Sequence, residues 1–291
     1  MGRSDPVPIG QWAYNWHDRP RPFVHPVTTP SGRVLTVDAP ADHPWHHALW
    51  FTIKFVNGEN FWEEYDDYGL LVQDRPPRVL GATDAAGRIW RSHISWQRPG
   101  NPGGTGAEVV IDQVVELALE QHRDLLAMDW DVRLVPRVDV VLDRTPFTTW
   151  GGYGGLTFRG RGDWHDTTLW APGHPWPPGD DTRARLLGDG SRWCSLEGML
   201  PGPQGAERPA GVAILDHPGN PNHPTPWYAS TRADTYGDEG WSNFVNAAFL
   251  WHGPLEVAAG EELRLRHRVV TWDDESDPDR IDSEWDRWVS R

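Results

Sequence analysis

Two residue types that many enzymes rely on are almost missing from this sequence. Lys54 is the only lysine and Cys194 the only cysteine among 291 residues. A single lysine excludes a Walker-type phosphate loop, because that loop needs a glycine-rich run that ends in lysine. It also restricts any Schiff-base mechanism to Lys54. A single cysteine allows no internal disulfide, which fits a reducing compartment, and we expect Cys194 to be a buried structural thiol.

Long apolar segments are also missing. Apolar runs are only a few residues long, as at residues 212–215, whereas a membrane-spanning helix needs about 20 residues. Residues 1–6 contain no apolar stretch of the kind found in a signal peptide. We therefore expect a cytoplasmic protein with no membrane partner.

Positive charge is scarce as well. The 27 Lys and Arg residues stand against 42 Asp and Glu residues, which gives a formal net charge of -15. Nucleic acids and anionic membranes are polyanions, so this charge argues against both as partners. A small-molecule substrate is the partner that we expect.

Alternating apolar and polar residues, which predict β-strands, are the dominant pattern. Residues 128–134 read MDWDVRL, with the period of two that is typical of a half-buried strand. Further strand patterns lie at residues 109–115, 138–142 and 262–266. No repeat of fixed period and no linker interrupts the chain, and most prolines and glycines fall between the strand patterns. The sequence predicts one all-β domain over residues 1–291, an antiparallel β-sandwich.

One helix is predicted at the C-terminal end, over about residues 278–290. Asp277 is a suitable N-cap, and Pro278 suits the first helical position. Apolar residues recur with helical spacing at Ile281, Trp285 and Trp288. We expect this stripe to pack on the outside of a sheet.

Residues 42–64 combine histidines, carboxylates and tryptophans around an expected strand. Histidine is the side chain most easily adjusted for proton transfer near neutral pH, and it is also the commonest metal ligand. Tryptophan beside such groups offers a flat apolar wall with a polar edge. The candidate site residues of this first cluster are His43, His46, His47, Trp50, Asn57, Trp62, Glu63 and Glu64.

The period of two predicts which of these side chains converge. If residues 49–56 form one strand, one of its faces is apolar and belongs to the core. The positions on that face are Leu49, Phe51, Ile53 and Phe55; the opposite positions are Trp50, Thr52 and Lys54. Extended backwards, the register places His46 on the side of Trp50 and His47 on the core side. Of these two, His46 is therefore the better catalytic candidate, and we expect His47 to contribute to stability; which histidine of the chain is catalytic stays open, with His217 and His223 as the other candidates.

The acidic end of the cluster follows a turn. Asn57-Gly58 predicts a type I′ hairpin turn, because both central residues of that turn need positive φ. The run after it, FWEEYDD, carries four acids in five positions. Most acidic runs are solvated surfaces, but Glu63 or Glu64 is also a candidate catalytic residue.

A second cluster lies at residues 216–227, after an expected buried strand. Four prolines restrict this loop, so it is ordered at low entropic cost and suits a site that needs fixed donors and acceptors. Its candidate residues are Asp216, His217, Asn220, His223 and Trp227. We expect both clusters to face one cavity. Two further candidates for substrate binding, Arg159 and Asn243, lie elsewhere in the chain.

The motifs in four segments of this chain resemble those of the bacterial PmoA-like family, a domain of unknown function once labelled "methane oxygenase". The segments are 43–64, 150–156, 216–227 and 254–264. The resemblance covers residues 22–272 and implies a galactose-mutarotase-like supersandwich. The sequence departs from the family pattern at His47, where the family usually has arginine, and at Ala48, where it usually has glycine. The old label does not fit, because a methane-oxidising membrane subunit needs apolar spans.

Three functional hypotheses remain. The 19 tryptophans, some of them beside the polar clusters, favour a neutral polyhydroxylated ligand, since aromatic rings stack on sugar C–H faces. The first hypothesis is a carbohydrate-active or polyol-active enzyme, an epimerase, lyase or glycosidase that needs no cofactor and uses histidine and carboxylate as acid and base. The second is an enzyme in which His46, His217 or His223 joins a carboxylate around a divalent metal. The third is a non-catalytic sugar-binding domain.

Overall fold

The computed structural model describes residues 5–17, 19–65, 67–81, 88–100, 107–122, 124–145, 152–173, 185–202, 205–231 and 243–291. Within these residues the fold consists of antiparallel β-sheets and one helix at the C-terminal end. The predicted all-β class is therefore confirmed. No helix in this part of the chain is long and apolar enough to cross a membrane.

Two large sheets form the body of the fold. The first sheet has the strand order β1 (Val7–Ile9), β2 (Trp12–Asn15), β3 (Phe23–Val24), β4 (Leu49–Thr52), β13 (Gly155–Arg159), β19 (Phe244–Ala247), β18 (Pro226–Ser230) and β15 (Arg185–Gly190). The second has the order β14 (His165–Trp170), β16 (Trp193–Pro201), β17 (Glu207–Asp216), β21 (Leu263–Asp273), β11 (Leu125–Pro136), β10 (Val109–His122), β9 (Ile89–Gln97) and β7 (Leu70–Val72), and β8 (Arg78–Leu80) also pairs with β9.

The remaining four described strands form a smaller sheet. Its order is β20 (Leu255–Val257), β12 (Val140–Asp143), β5 (Phe55–Val56) and β6 (Glu59–Asn60). The predicted hairpin turn lies between β5 and β6, where Asn57 has φ 52° and Gly58 has φ 80°. This confirms the turn prediction. The predicted single strand over residues 49–56 was wrong, because the chain leaves the first sheet after Thr52 and enters the small sheet at Phe55.

One apolar core fills the space between the two large sheets. It takes alternate residues from both, for example Leu49 and Phe51 from β4 and Met128 and Val132 from β11. Because side chains alternate along a strand, the other residues of the first sheet point away from this core. Cys194 lies in the core, and burial raises the pKa of its thiol well above the ordinary value, as expected for a structural cysteine.

The predicted helix is confirmed as α1 (Pro278–Val289), with Asp277 as its N-cap. Its apolar stripe packs on the outer face of the second sheet, against a separate cluster of buried residues. The cluster comprises Leu125, Ala127, Trp193, Ala213, Leu215, Val270, Trp272, Ile281 and Trp288, with Trp170, Trp285 and Val289 beside it.

Candidate functional site

The outer face of the first sheet carries a row of mostly aromatic side chains. Strand register aligns five residues across β3, β4, β13, β19 and β18: Phe23, Trp50, Thr157, Asn246 and Tyr228. They alternate with core residues, so the whole row faces away from the core. The row contributes to a second apolar cluster, here called the outer aromatic cluster. It contains Phe23, Ala48, Trp50, Trp62, Tyr228, Phe244 and Ala248, with Trp45, Tyr153 and Trp251 packed against it.

His46 lies in the middle of the outer aromatic cluster, on the Trp50 side that was predicted for it. Its ring centroid is 5.2 Å from that of Trp50 and 5.1 Å from that of Phe244, and it stacks on His43 at 4.6 Å. Burial, and after it the positive charge of Arg159, holds the pKa of His46 well below its ordinary value. His46 is therefore a neutral imidazole at physiological pH.

His47 also lies on this outer side, stacked on Phe23, so the prediction that it faces the core was wrong. The reason is a backbone reversal: Ala48 has φ 56°, a left-handed conformation that breaks the extended register before β4. His47 Nδ1 lies 2.7 Å from Asp38 Oδ1, and Nε2 lies 2.7 Å from Glu64 Oε1. An ionised carboxylate can accept hydrogen bonds but cannot donate them. Both ring nitrogens of His47 therefore donate, and the ring is an imidazolium.

The two neighbouring histidines thus differ in protonation: His46 is neutral and His47 is positively charged. Burial alone lowers the pKa of His47, but its hydrogen bonds with Asp38 and Glu64 outweigh burial and raise it above the ordinary value. A raised pKa in the folded state contributes stability that is complete below the unfolded pKa, about 6.5, and is lost as pH rises through the folded pKa.

The direction of this pH dependence of stability gives a test of the His47 geometry. We expect replacement of His47 by glutamine to cost more free energy of unfolding at pH 5.5 than at pH 9, because only the charged ring donates to both carboxylates. Urea denaturation of the wild type and of His47→Gln at both pH values measures the difference. An equal loss at the two pH values, or a larger loss at pH 9, contradicts an imidazolium at this position.

Two arginines lie on either side of the histidines. Arg21 NH2 is 3.3 Å from Glu64 Oε1, the same oxygen that His47 contacts. Arg159 NH2 is 2.6 Å from Asp42 Oδ2, which also lies 3.1 Å from His43 Nδ1. Each arginine therefore shares one carboxylate oxygen with one histidine.

Glu63 is held by contacts with Lys54 and Tyr153. It forms an ion pair with Lys54, and the hydroxyl of Tyr153 lies 3.5 Å from its Oε1. The Tyr153 ring packs on Trp62 with a centroid distance of 4.9 Å. Burial, partly offset by the charge of Glu63, lowers the pKa of the Lys54 ammonium. The only lysine of the chain is therefore part of this site.

The second cluster does not join the first, so the predicted shared cavity was wrong. Asp216 is fully buried and accepts hydrogen bonds from Asn220 Nδ2 at 2.7 Å and from the backbone N–H of Thr225 at 3.0 Å. His223 Nδ1 lies 2.6 Å from the same carboxylate. The group ties the loop after β17 to the end of that strand.

The two histidines of this loop pack on helix α1. His223 stacks on Trp285 at a centroid distance of 6.3 Å, and His217 meets Trp288 edge-on at 5.3 Å. Helix α1 covers the outer face of the second sheet, whereas His46 lies on the outer face of the first. In the described structure these contacts make the second cluster an anchor for the helix.

Three other candidates have structural contacts. Trp227 points into the main core and donates through Nε1 to the Ser191 carbonyl. Asn57 donates through Nδ2 to the carbonyl of Asp139, just before β12, and its Oδ1 accepts from the N–H of Val141 in β12. The buried Asn243 donates to the carbonyls of Arg161 and Trp164. Trp150, the first residue of the segment 150–156 that carries part of the family resemblance, lies outside the described residues.

Several site residues were not predicted as candidates: Arg21, Asp38, Asp42, Lys54, Tyr153, Tyr228 and Phe244. A signal existed for two of them. Lys54 was placed on the Trp50 side by the period of two, and Arg21 precedes Phe23 by two residues, so an extended chain puts both side chains on one side. The others converge only through strand pairing. In the described part of the chain, no group of three or more His, Cys, Asp or Glu side chains is arranged to hold a metal ion.

Comparison with known proteins gives a family. Residues 4–286 match the model of DUF6807, described as a family of unknown function. The chain belongs to DUF6807. The match agrees with the expected domain of unknown function and gives no support to the PmoA-like label. None of the curated proteins matches this DUF6807 chain.

The chain also shows low-level similarity to solved structures. A chain named "Putative kojibiose phosphorylase from human microbiome" aligns over 83% of this chain and 26% of its own length, with 8% identity and a TM-score of 0.37. The DUF6807 chain therefore spans about a quarter of that protein. A TM-score of this size does not establish a common fold.

Proposed function

We propose that this DUF6807 protein is an enzyme that acts on a carbohydrate or similar polyol by general acid–base chemistry, with His46 as the base. The observation that carries the proposal is the pair of adjacent histidines with opposite protonation states. His46 is neutral between aromatic rings, and His47 is charged between two carboxylates. Titratable neighbours whose surroundings push their pKa values apart are typical of acid–base sites.

The surrounding aromatic residues suit a sugar ring. Trp50 and Trp62 are fully buried and form the floor of the site. Trp45, Tyr153 and Trp251 are only partly buried and pack on that floor, so the aromatic cluster reaches the protein surface at these rings. Sugar rings present C–H groups that stack on aromatic rings, while their hydroxyls need polar partners at the edge.

Polar groups that still reach solvent supply those partners. The side chains of His43, Glu63 and Glu64 remain 16%, 14% and 16% exposed. Both glutamates are already held by cations, Glu63 by Lys54 and Glu64 by His47 and Arg21. We assign them to binding substrate hydroxyls, and we assign proton abstraction to His46. This division favours an epimerase or a lyase over a glycosidase, because the usual glycosidase mechanism uses the two carboxylates themselves as acid and nucleophile or base.

A solvent-exchange screen tests the proposal. A base that removes a carbon-bound proton lets deuterium from D2O enter the substrate, and NMR detects this without knowledge of the final product. We expect exchange or conversion with at least one member of a panel of keto-sugars, keto-glycosides, sugar acids and their glycosides, and unmodified glycosides. Binding without exchange or conversion across the panel would instead support a non-catalytic sugar-binding domain. Stoichiometric metal in the purified protein, with activity lost on chelation, would support the metal-dependent alternative.

A further inference from the structure

The two arginines of the site have hydrogen-bond donors that no group in the described part of the chain uses. Arg21 is fully buried, and none of its three guanidinium nitrogens has a hydrogen-bond partner there; its contact with Glu64 is an ion pair at 3.3 Å. Burial is the largest influence on Arg21 and lowers its pKa, so its charged form is incompletely compensated. Buried polar groups are nearly always satisfied, and an exception calls for a water or a ligand.

Arg159 repeats this arrangement on the other side of His46. Only 3% of the residue is exposed, and its NH2 group binds Asp42. Its Nε and NH1 atoms are buried and have no partner among the described residues. Asp42, which Arg159 binds, also contacts His43, and the His43 ring stacks on that of His46 at 4.6 Å. Arg21 pairs with Glu64, which contacts the neighbouring His47. Two incompletely bonded cations therefore flank the proposed base.

A guanidinium group presents its N–H donors in a planar fork that matches the two oxygens of a carboxylate. A phosphate dianion suits the site less well. Asp38, Asp42, Glu63 and Glu64 are already paired with His47, Arg159, Lys54 and Arg21, so these charges balance and a dianion would leave two uncompensated negative charges. A carboxylate adds only one negative charge and meets the free donors.

We propose that the substrate carries a carboxylate, so that it is a sugar acid or a glycoside of one, bound through the unused N–H groups of Arg21 and Arg159. This inference rests on the proposed function and makes it more specific, and it replaces the neutral ligand that the composition favoured. A carboxylate next to the base also suits proton abstraction, because two guanidinium groups beside it stabilise negative charge that develops on the substrate.

Ligand binding to the full chain tests the inference. The probes are hexuronates and their glycosides, the methyl esters of the same compounds, the corresponding neutral hexoses, and acetate as a carboxylate without a sugar ring. Affinity is measured by calorimetry and by the shift in melting temperature. The variants are Arg21→Gln and Arg159→Gln, and Arg98→Gln is the matched control because Arg98 is an exposed arginine paired with Glu59 outside the site.

We expect at least one uronate compound to bind more tightly than its methyl ester and its neutral counterpart. We expect Arg21→Gln and Arg159→Gln each to weaken that binding by about 10- to 100-fold, as for a lost hydrogen bond to a charged group, and Arg98→Gln to leave it unchanged. Should either site variant fail to fold, the comparison of acid with ester in the wild type still decides the question.

The other outcomes separate the two proposals. Equal binding of acids, esters and neutral sugars overturns the carboxylate assignment and leaves the carbohydrate function standing. Binding of acetate as tight as that of every uronate supports the anion site and contradicts a sugar substrate. If no member of the panel binds, both proposals are overturned.

Discussion

Replacement of His46 by alanine is expected to lower turnover of the substrate found in the exchange screen by about 10²–10⁴-fold, the usual effect of removing a general base. Deuterium exchange should fall by a similar factor, because the variant lacks the group that takes the proton. The imidazole lies among the rings of the outer aromatic cluster and contributes nothing to the main core. We therefore expect the variant to fold with a modest loss of melting temperature. Turnover and thermal unfolding are measured on the same preparation.

His223→Ala is the matched control for this prediction. His223 was also a catalytic candidate, but it binds Asp216 and stacks on Trp285 beneath the helix. We expect His223→Ala to keep the turnover of the wild type and to lose about 1–3 kcal/mol of unfolding free energy, because the buried Asp216 carboxylate loses a partner. If His223→Ala is inactive while His46→Ala turns over normally, the site lies at the second cluster and the outer face of the first sheet has another role.

The rate should also depend on pH in a defined direction. His46 acts as a base only when it is neutral, and its pKa is held well below the ordinary value by burial and by Arg159. Activity is therefore present at neutral pH and falls only when the pH drops well below about 6.5, the ordinary pKa of histidine. The same depressed pKa makes the unfolded chain bind more protons than the folded one below that value, so acid also destabilises the fold at this position.

The period of two placed Trp50 correctly, because residues Leu49–Thr52 form strand β4 and residues on a strand alternate sides. His46 lies on the predicted side, but the rule does not explain it, because His46 precedes the strand and Ala48, with φ 56°, breaks the register between them. The same break puts His47 on the outer side, where the rule had predicted the core. Alanine rarely takes this conformation, so its identity carried no warning. The family resemblance did contain a warning, because the PmoA-like family usually has glycine at the position of Ala48, and glycine adopts positive φ easily.

The arginine and carboxylate partners could not be predicted for a different reason. Arg21, Asp42 and Arg159 are far apart in the chain and meet through the pairing of β3, β4 and β13. A pairing of this kind depends on the whole sheet, and local pattern contains no information about it. The second cluster failed similarly: its polar loop suggested a site, but the partner that explains its histidines is a helix about 60 residues later in the sequence.

Replacement of Arg268 by methionine is expected to give the largest loss of stability, about 3 kcal/mol or more. Arg268 is fully buried and binds Asp129 through Nε at 2.6 Å, and Glu120 and Glu284 through NH1 at 2.9 and 2.7 Å. Methionine fills similar space but deprives Glu284, which is 4% exposed, of one of the two arginines that bind its carboxylate, so that Arg287 remains. Glu284 belongs to helix α1, so the loss also weakens the attachment of the helix. Urea denaturation followed by circular dichroism measures the change.

Arg264→Met on the same strand is the matched control. Arg264 pairs with Asp131 but is 45% exposed, and exposed ion pairs contribute only about 0–1 kcal/mol. We expect the control to unfold close to the wild type. If the buried charge of Glu284 causes the loss, adding Glu284→Gln to Arg268→Met should recover part of it, because the neutral amide costs less to bury than an unpaired carboxylate. Equal losses for Arg268→Met and Arg264→Met, or no recovery in the double variant, would show that the network around Arg268 does not anchor the helix through charge.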